Sequence, residues 1–399
     1  MPLALLEHVN LNVPDHDAAY AFYVTALGGV VNPKTTNERQ LHVNVGASQF
    51  HLLLQASFAE GIEKVTIPQV WAGHIELWSR EPLETIQQRL TEAGRSFTRE
   101  EASAASGGKP HLLAVCPWGN RYLVRTAPDG FNAEAHGSHP GGIGGLIAIT
   151  RCVQLVRPGS ASRLHTFWST ALGASSELNE RQMPSGGTHA HCIVRFNSGQ
   201  QLIFDEREDA PPADAYDTEE KSAYHLAVYC DHVDSFKHAF SACEALDVLY
   251  ANPRFARSPP EFGNAMEWEL VQSCGQFRIK DMGRPPSQQQ QQQEQQEPSA
   301  AAVDVTDGGG SGGGSSSGVP AAALVLELEI RSVSHVSCPL TRADIVAGGA
   351  TVPVAPAFAN CSPLKPPPHQ KPGVIRIPHG RGGFGTAAKE LASSPLTKK

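Results

Sequence analysis

The heptapeptide FYVTALG at residues 22–28 returns as FWSTALG at 167–173, and a chain that repeats a stretch this closely builds its fold from a repeated unit. The unit reads clearly around the first copy. His8-Val9-Asn10-Leu11-Asn12-Val13 alternates polar and apolar residues, the period of a strand with one buried face, so His8, Asn10 and Asn12 point the same way. Pro14 and Asp15 end the strand. Ala19, Phe22, Tyr23, Ala26 and Leu27 then recur at helical spacing until Gly28 and Gly29 supply the stop. The second copy is preceded by a strand-like run from Arg151 to Val156. Two weaker copies exist. His74-Ile75-Glu76-Leu77-Trp78 leads into a helix carrying Leu83, Ile86, Leu90 and Ala93, and His225-Leu226-Ala227-Val228-Tyr229 leads into one carrying Phe236, Phe240, Cys243 and Leu246. Four strand–helix units are expected.

Each unit is followed by hairpin material: residues 41–55 around Gly46-Ala47-Ser48, residues 111–126 around Pro117-Trp118-Gly119-Asn120, and residues 189–206 around Asn197-Ser198-Gly199. Residues 127–145, rich in Gly, Pro and His, read as a linker. The expected organisation is a first domain over 1–126, that linker, and a second domain over 146–346. The second is interrupted at 284–320, where a glutamine tract and a Gly/Ser tract cannot bury enough apolar surface to order themselves. Beyond the interruption, Leu324 to Ile330 is again strand-like and is expected to return beside Gln276 to Asp281, since a long loop between paired strands costs little extra entropy. Residues 347–399, dominated by proline, glycine and lysine, are expected to be disordered.

The chain has 399 residues, 32 of them basic and 40 acidic, and the net charge of -8 argues against a general nucleic-acid or anionic-membrane binder. No apolar run is long enough to span a bilayer. The start shows no signal-like or transit-like segment, so a cytoplasmic protein is expected, with an organelle left open. Eight cysteines without a CxxC pair indicate neither a zinc knuckle nor a dithiol site and read as small buried hydrophobes.

HVNLNVPD at 8–15, FYVTALG at 22–28, GHIEL at 73–77, CPWGNR at 116–121 and FWSTALG at 167–173 together resemble the vicinal oxygen chelate superfamily. It includes glyoxalase I, fosfomycin and bleomycin resistance proteins and extradiol dioxygenases. The resemblance covers roughly residues 4–283 and resumes near 322–346. It implies an α+β fold in which four βαβββ modules pair into two curved-sheet bowls, here with a disordered insertion and C-terminal tail. It also implies a divalent metal held by residues from the first and last strands of both modules in a pair. In this sequence those positions fall at His8, His51, His74 and Leu123; the leucine departs from the usual glutamate. In the second half they are Arg151, Ile203, His225 and Glu327 or Glu329, a set without paired imidazoles, read as structural or substrate-binding.

Three imidazoles on three strands can hold Mn, Fe, Ni or Zn and leave positions open for a substrate's adjacent oxygens. Glu76, two residues after His74 and so on the same face, is the candidate general base or fourth ligand. The rival reading makes these histidines bowl-lining residues hydrogen-bonded to Asn10, Asn12 or Asn44, without metal. Two functions follow: a metal-dependent enzyme on a small oxygenated metabolite, or a metal-free protein that binds or sequesters a small molecule. Either works as a monomer or homodimer with a small-molecule partner, and neither engages nucleic acid or membrane.

Overall fold

The first strand, β1 (Leu3–Asn12), is buried along its whole length because other strands flank it on both sides. Asp15 then caps α1 (His16–Ala19), its Oδ1 accepting the Asp17 and Ala18 amides at 2.8 and 3.1 Å. The helix continues as a π-helical stretch, Tyr20–Ala26. Gly28 ends it at φ +88°, as Gly173 ends the second copy of the motif at φ +60°, backbone values that side chains with a Cβ rarely adopt. Strands β2 (Val30–Val31), β3 (Gln40–Val45) and β4 (Ser48–Leu53) complete the first unit. The second comprises β5 (Gly73–Ser79), α2 (Leu83–Glu92), β6 (Phe97–Glu100), β7 (His111–Val115) and β8 (Arg121–Thr126). The third comprises β9 (Leu146–Val156), α3 (Ser160–Thr170), β10 (Ser175–Gln182), β11 (Thr188–Arg195) and β12 (Gln201–Glu206). The fourth comprises β13 (His225–Cys230), α4 (Val233–Ala245), α5 (Trp268–Cys274), β14 (Gln276–Ile279) and β15 (Glu327–Ser332). This computed structural model describes residues 2–54, 68–102, 109–182, 188–215, 224–255, 259–260, 264–284, 322–335 and 337–340. The disorder expected for 284–320 and 347–399 falls, residue 284 apart, outside them.

The strands form two curved, unclosed sheets. One has seven strands in the order β14-β15-β13-β1-β4-β3-β2, the other eight in the order β10-β11-β12-β9-β5-β8-β7-β6. Within each unit the first strand runs parallel to the last, as β1 does to β4 and β13 to β15. Between units, first strands meet antiparallel: β1 with β13, and β5 with β9. The pairing is therefore nested, the first unit joining the fourth and the second joining the third. A first domain of two paired modules over 1–126 was the expectation, and the strand pairing does not follow it. The physical reason is that hydrophobic periodicity fixes which face of a strand is buried but not which first strand will pair with which.

The returning strand takes its place beside β14. Gln276, Phe277, Arg278 and Ile279 pair with Arg331, Ile330, Glu329 and Leu328. Because β14 lies beyond it, β15 is an interior strand, and Glu327 and Glu329 are buried.

Helices cover one face of each sheet, and the residues of the repeated motif supply much of the core. Phe22, Tyr23, Phe167 and Trp168 all enter one contiguous cluster, each fully buried side chain worth roughly 1.5–3 kcal/mol. Tyr23 on the first helix and Tyr122 on β8 meet within that core, their hydroxyls 2.6 Å apart. Cys116, Cys152, Cys192, Cys230 and Cys243 are buried and unpaired. Among the described residues no helix is long and apolar enough to cross a membrane.

Candidate metal centre

The helix-free face of the seven-stranded sheet collects its polar residues into two rows that run across the strands. One row pairs Glu327 with His225, His225 with Asn10, Asn10 with His51 and His51 with His42. The next row pairs Arg278 with Glu329, Glu329 with Ala227, Ala227 with His8 and His8 with Gln49. Ala227 sits between Glu329 and His8 and carries only a methyl group. The longer side chains on either side of it therefore converge above the middle of the sheet.

His8 Nε2 and His225 Nε2 face each other at 2.9 Å. Glu329 Oε2 lies 3.6 Å from His225 Nε2, and the ligand atoms of these three residues all lie within 4.8 Å of one another. All three are buried. His51 is placed differently. It stacks on His8 with ring centroids 3.7 Å apart, His42 stacks on its other face at the same distance, and its Nε2 lies 3.0 Å from Gln49 Oε1.

A bulge shapes the site. The register of β1 against β13 shifts between Leu6 and His8, so Glu7 does not turn to the opposite side as strict alternation requires. Its Oε2 approaches His8 Nδ1 at 2.5 Å, and its Oε1 lies 3.3 Å from His139 Nε2. Burial alone would raise the Glu7 carboxyl, but the charges of His8 and Arg331 outweigh it and hold it down at about 2. The ionised carboxylate accepts the His8 Nδ1 proton and so fixes the ring, whose Nε2 faces His225.

Two guanidiniums hold the acidic side. Arg278 pairs with both Glu327 and Glu329, and Arg331 bridges Glu329 Oε1 at 2.5 Å and Glu7 Oε2 at 3.0 Å. Burial would raise the Glu329 carboxyl as well; Arg278 and Arg331 keep it well below the usual carboxylate range. His51 and His42 are also lowered, first by burial and then by neighbouring imidazoles, His42 to about 3. Both rings are neutral at ordinary pH.

Of the sequence-derived candidates, His8 and His51 come together. His74 and Glu76 do not join them, because β5 belongs to the eight-stranded sheet. There Glu76 lies between His74 and Arg151, each at 3.5 Å. His225 and Glu329, which the resemblance put at the ligand-equivalent positions of the second half, stand beside His8 instead of in a separate set. Sequence reasoning missed Glu7, Arg278 and Arg331, of which only Arg331 carried a signal, its alternation with Glu327 and Glu329 placing the three on one face.

The donor set fits a metal ion. Two nitrogens ligating one ion at ~2.1 Å in adjacent positions stand about 3 Å apart, the spacing His8 and His225 already have. Two imidazoles with one carboxylate is a set that suits first-row divalent ions and leaves positions open.

No family model matches the sequence, and no curated protein does. Solved structures do. The chain is similar to glyoxalase I from Zea mays, with 14% identity over 82% of this chain and 92% of that one at a TM-score of 0.44. It is also similar to a glyoxalase/bleomycin resistance protein/dioxygenase from Alicyclobacillus acidocaldarius, with 17% identity over 31% of this chain and 92% of that one at a TM-score of 0.22. The likeness is one of fold.

Proposed function

We propose that this protein is a divalent-metal-dependent enzyme acting on a small oxygenated metabolite, with His8, His225 and Glu329 as the ligands and His51 beside them. The observation that carries the reading is the approach of His8 Nε2 to His225 Nε2 with Glu329 Oε2 alongside. When bound, the ion would act as a Lewis acid on a substrate's adjacent oxygens. The protein's own part is positional. Glu7 holds the His8 proton at Nδ1, Arg331 ties Glu7 to Glu329, and Arg278 fixes the Glu329 carboxylate. Burial keeps water from competing at the charged groups. Mn, Fe, Ni and Zn all suit the set.

A second reading rests on the two arginines. Glu329 is already compensated by Arg278 and Arg331, and a site neutral without an ion also suits a metal-free protein that binds or sequesters a small molecule. Chelator-stripped protein offered Mn, Fe, Ni or Zn separates the two. The enzyme reading expects tight uptake in which His225→Gln loses one ion per chain relative to wild type and His74→Gln loses none. Equal stoichiometry in wild type and His225→Gln would leave the binding protein.

A further inference from the structure

The eight-stranded sheet carries a second group of metal-ligating side chains, away from the positions that the family resemblance would use. His191 on β11 and Asp205 on β12 are direct cross-strand partners, and His189, two residues along β11, shares their face. The ligand atoms of the three residues all lie within 4.8 Å of one another. His189 Nε2 lies 2.9 Å from Asp205 Oδ1, yet that nitrogen makes no hydrogen bond among the described residues. The two atoms approach side by side without alignment, as two ligands do around a common point.

We propose that His189, His191 and Asp205 bind one divalent ion of the zinc class. Imidazole nitrogens favour zinc, nickel and copper over magnesium and calcium, and a single carboxylate supplies charge without excess. The side chains of His189 and Asp205 are 29% and 23% exposed, so water completes the coordination and the ion enters without opening the core. The site is separate from the His74–Glu76 pair: β11 stands three strands from β5 in the sheet order, about 14 Å at the usual spacing. It lies in a different sheet from His8, His225 and Glu329, and does not depend on the reading proposed for them. An ion there ties β11 to β12 through side chains as well as backbone.

The test uses the full chain, stripped with chelator and dialysed against zinc, with bound ions per chain counted by atomic emission. The wild type, the triple variant His189→Gln/His191→Gln/Asp205→Asn and His225→Gln are compared. The expected result is that the triple variant binds one ion fewer than wild type, and that combining it with His225→Gln removes a further one. Circular dichroism confirms that each variant is folded. Should the triple variant fail to fold, Asp205→Asn alone serves, and it must weaken one class of site by more than the roughly 10–100-fold that outer-shell changes cost. Equal stoichiometry in wild type and the folded triple variant, whether one ion or none, overturns the proposal. Loss confined to His225→Gln sinks this site and leaves the proposed enzyme standing; loss confined to the triple variant does the reverse.

Discussion

The two sheets share one plan and treat their polar faces differently. In the seven-stranded sheet, first strands β1 and β13 and last strand β15 supply His8, His225 and Glu329, all buried. In the eight-stranded sheet, first strands β5 and β9 supply His74 and Glu76, Arg151 and Val153, while last strands β8 and β12 supply Leu123 and Ile203. His74 and Arg151 there remain 29% and 46% exposed at the side chain. The comparison teaches that a repeated scaffold constrains where side chains point and leaves their energetics free. Buried charges on one face must be matched by partners, whereas on the other water does that work.

The largest test of this difference removes a strand. Truncation after residue 284 deletes β15 from the interior of the seven-stranded sheet, so that sheet is expected to lose its cooperative unfolding transition while the truncated chain aggregates along the exposed β13 edge. Deleting 286–319 instead keeps β15 and shortens only the chain between β14 and β15, with an expected change of under ~1 kcal/mol. Thermal melts of both shortened chains check the pair, and equal stability would refute the interior placement. Next in size, Glu329→Gln takes the shared carboxylate from buried Arg278 and half-buried Arg331, leaving them Glu327 and Glu7, and is expected to cost about 3 kcal/mol by denaturant titration. Glu76→Gln, beside a half-exposed Arg151, should cost no more than ~1 kcal/mol. If the two losses match, the contrast between the faces fails.

A pH dependence sharpens the same point. Burial and the Arg331 charge press His335 down to about 4 from an ordinary 6.5. The unfolded chain therefore takes up the proton first, so the stability His335 confers is complete above pH 6.5 and is lost as pH falls towards 4. His335→Asn should flatten that part of a stability profile measured by denaturant titration across pH. Of similar size to the Glu76→Gln effect, Tyr23→Phe breaks the hydroxyl pair that ties the first helix to β8 and is expected to lower stability by about 1 kcal/mol.

Much of this was legible from residue pattern alone. Alternation put His8, Asn10 and Asn12 on one face, the repeated heptapeptide announced repeated units, and the run from Leu324 to Ile330 declared a strand despite the interruption before it. The partnerships were not legible. His8 pairs across to a strand more than two hundred residues away, and nothing in the local sequence distinguishes β13 from β5 as its neighbour, so the ligand set was assembled with His74 in place of His225. Glu7 was hidden for a different reason. Alternation sends it to the apolar side, and only the bulge before His8, a consequence of pairing, brings it to the imidazole.

The nested pairing also sets an order of assembly as the chain leaves the ribosome. The eight-stranded sheet has all its strands once residue 206 has been made, whereas the seven-stranded sheet waits for residue 332. Until then β13 holds an open hydrogen-bonding edge, and the long interruption before β15 prolongs the wait. The histidine site is thus the last part of the molecule to be finished, and proteolysis of stalled nascent chains should find the eight-stranded sheet protected while β13 is still cut.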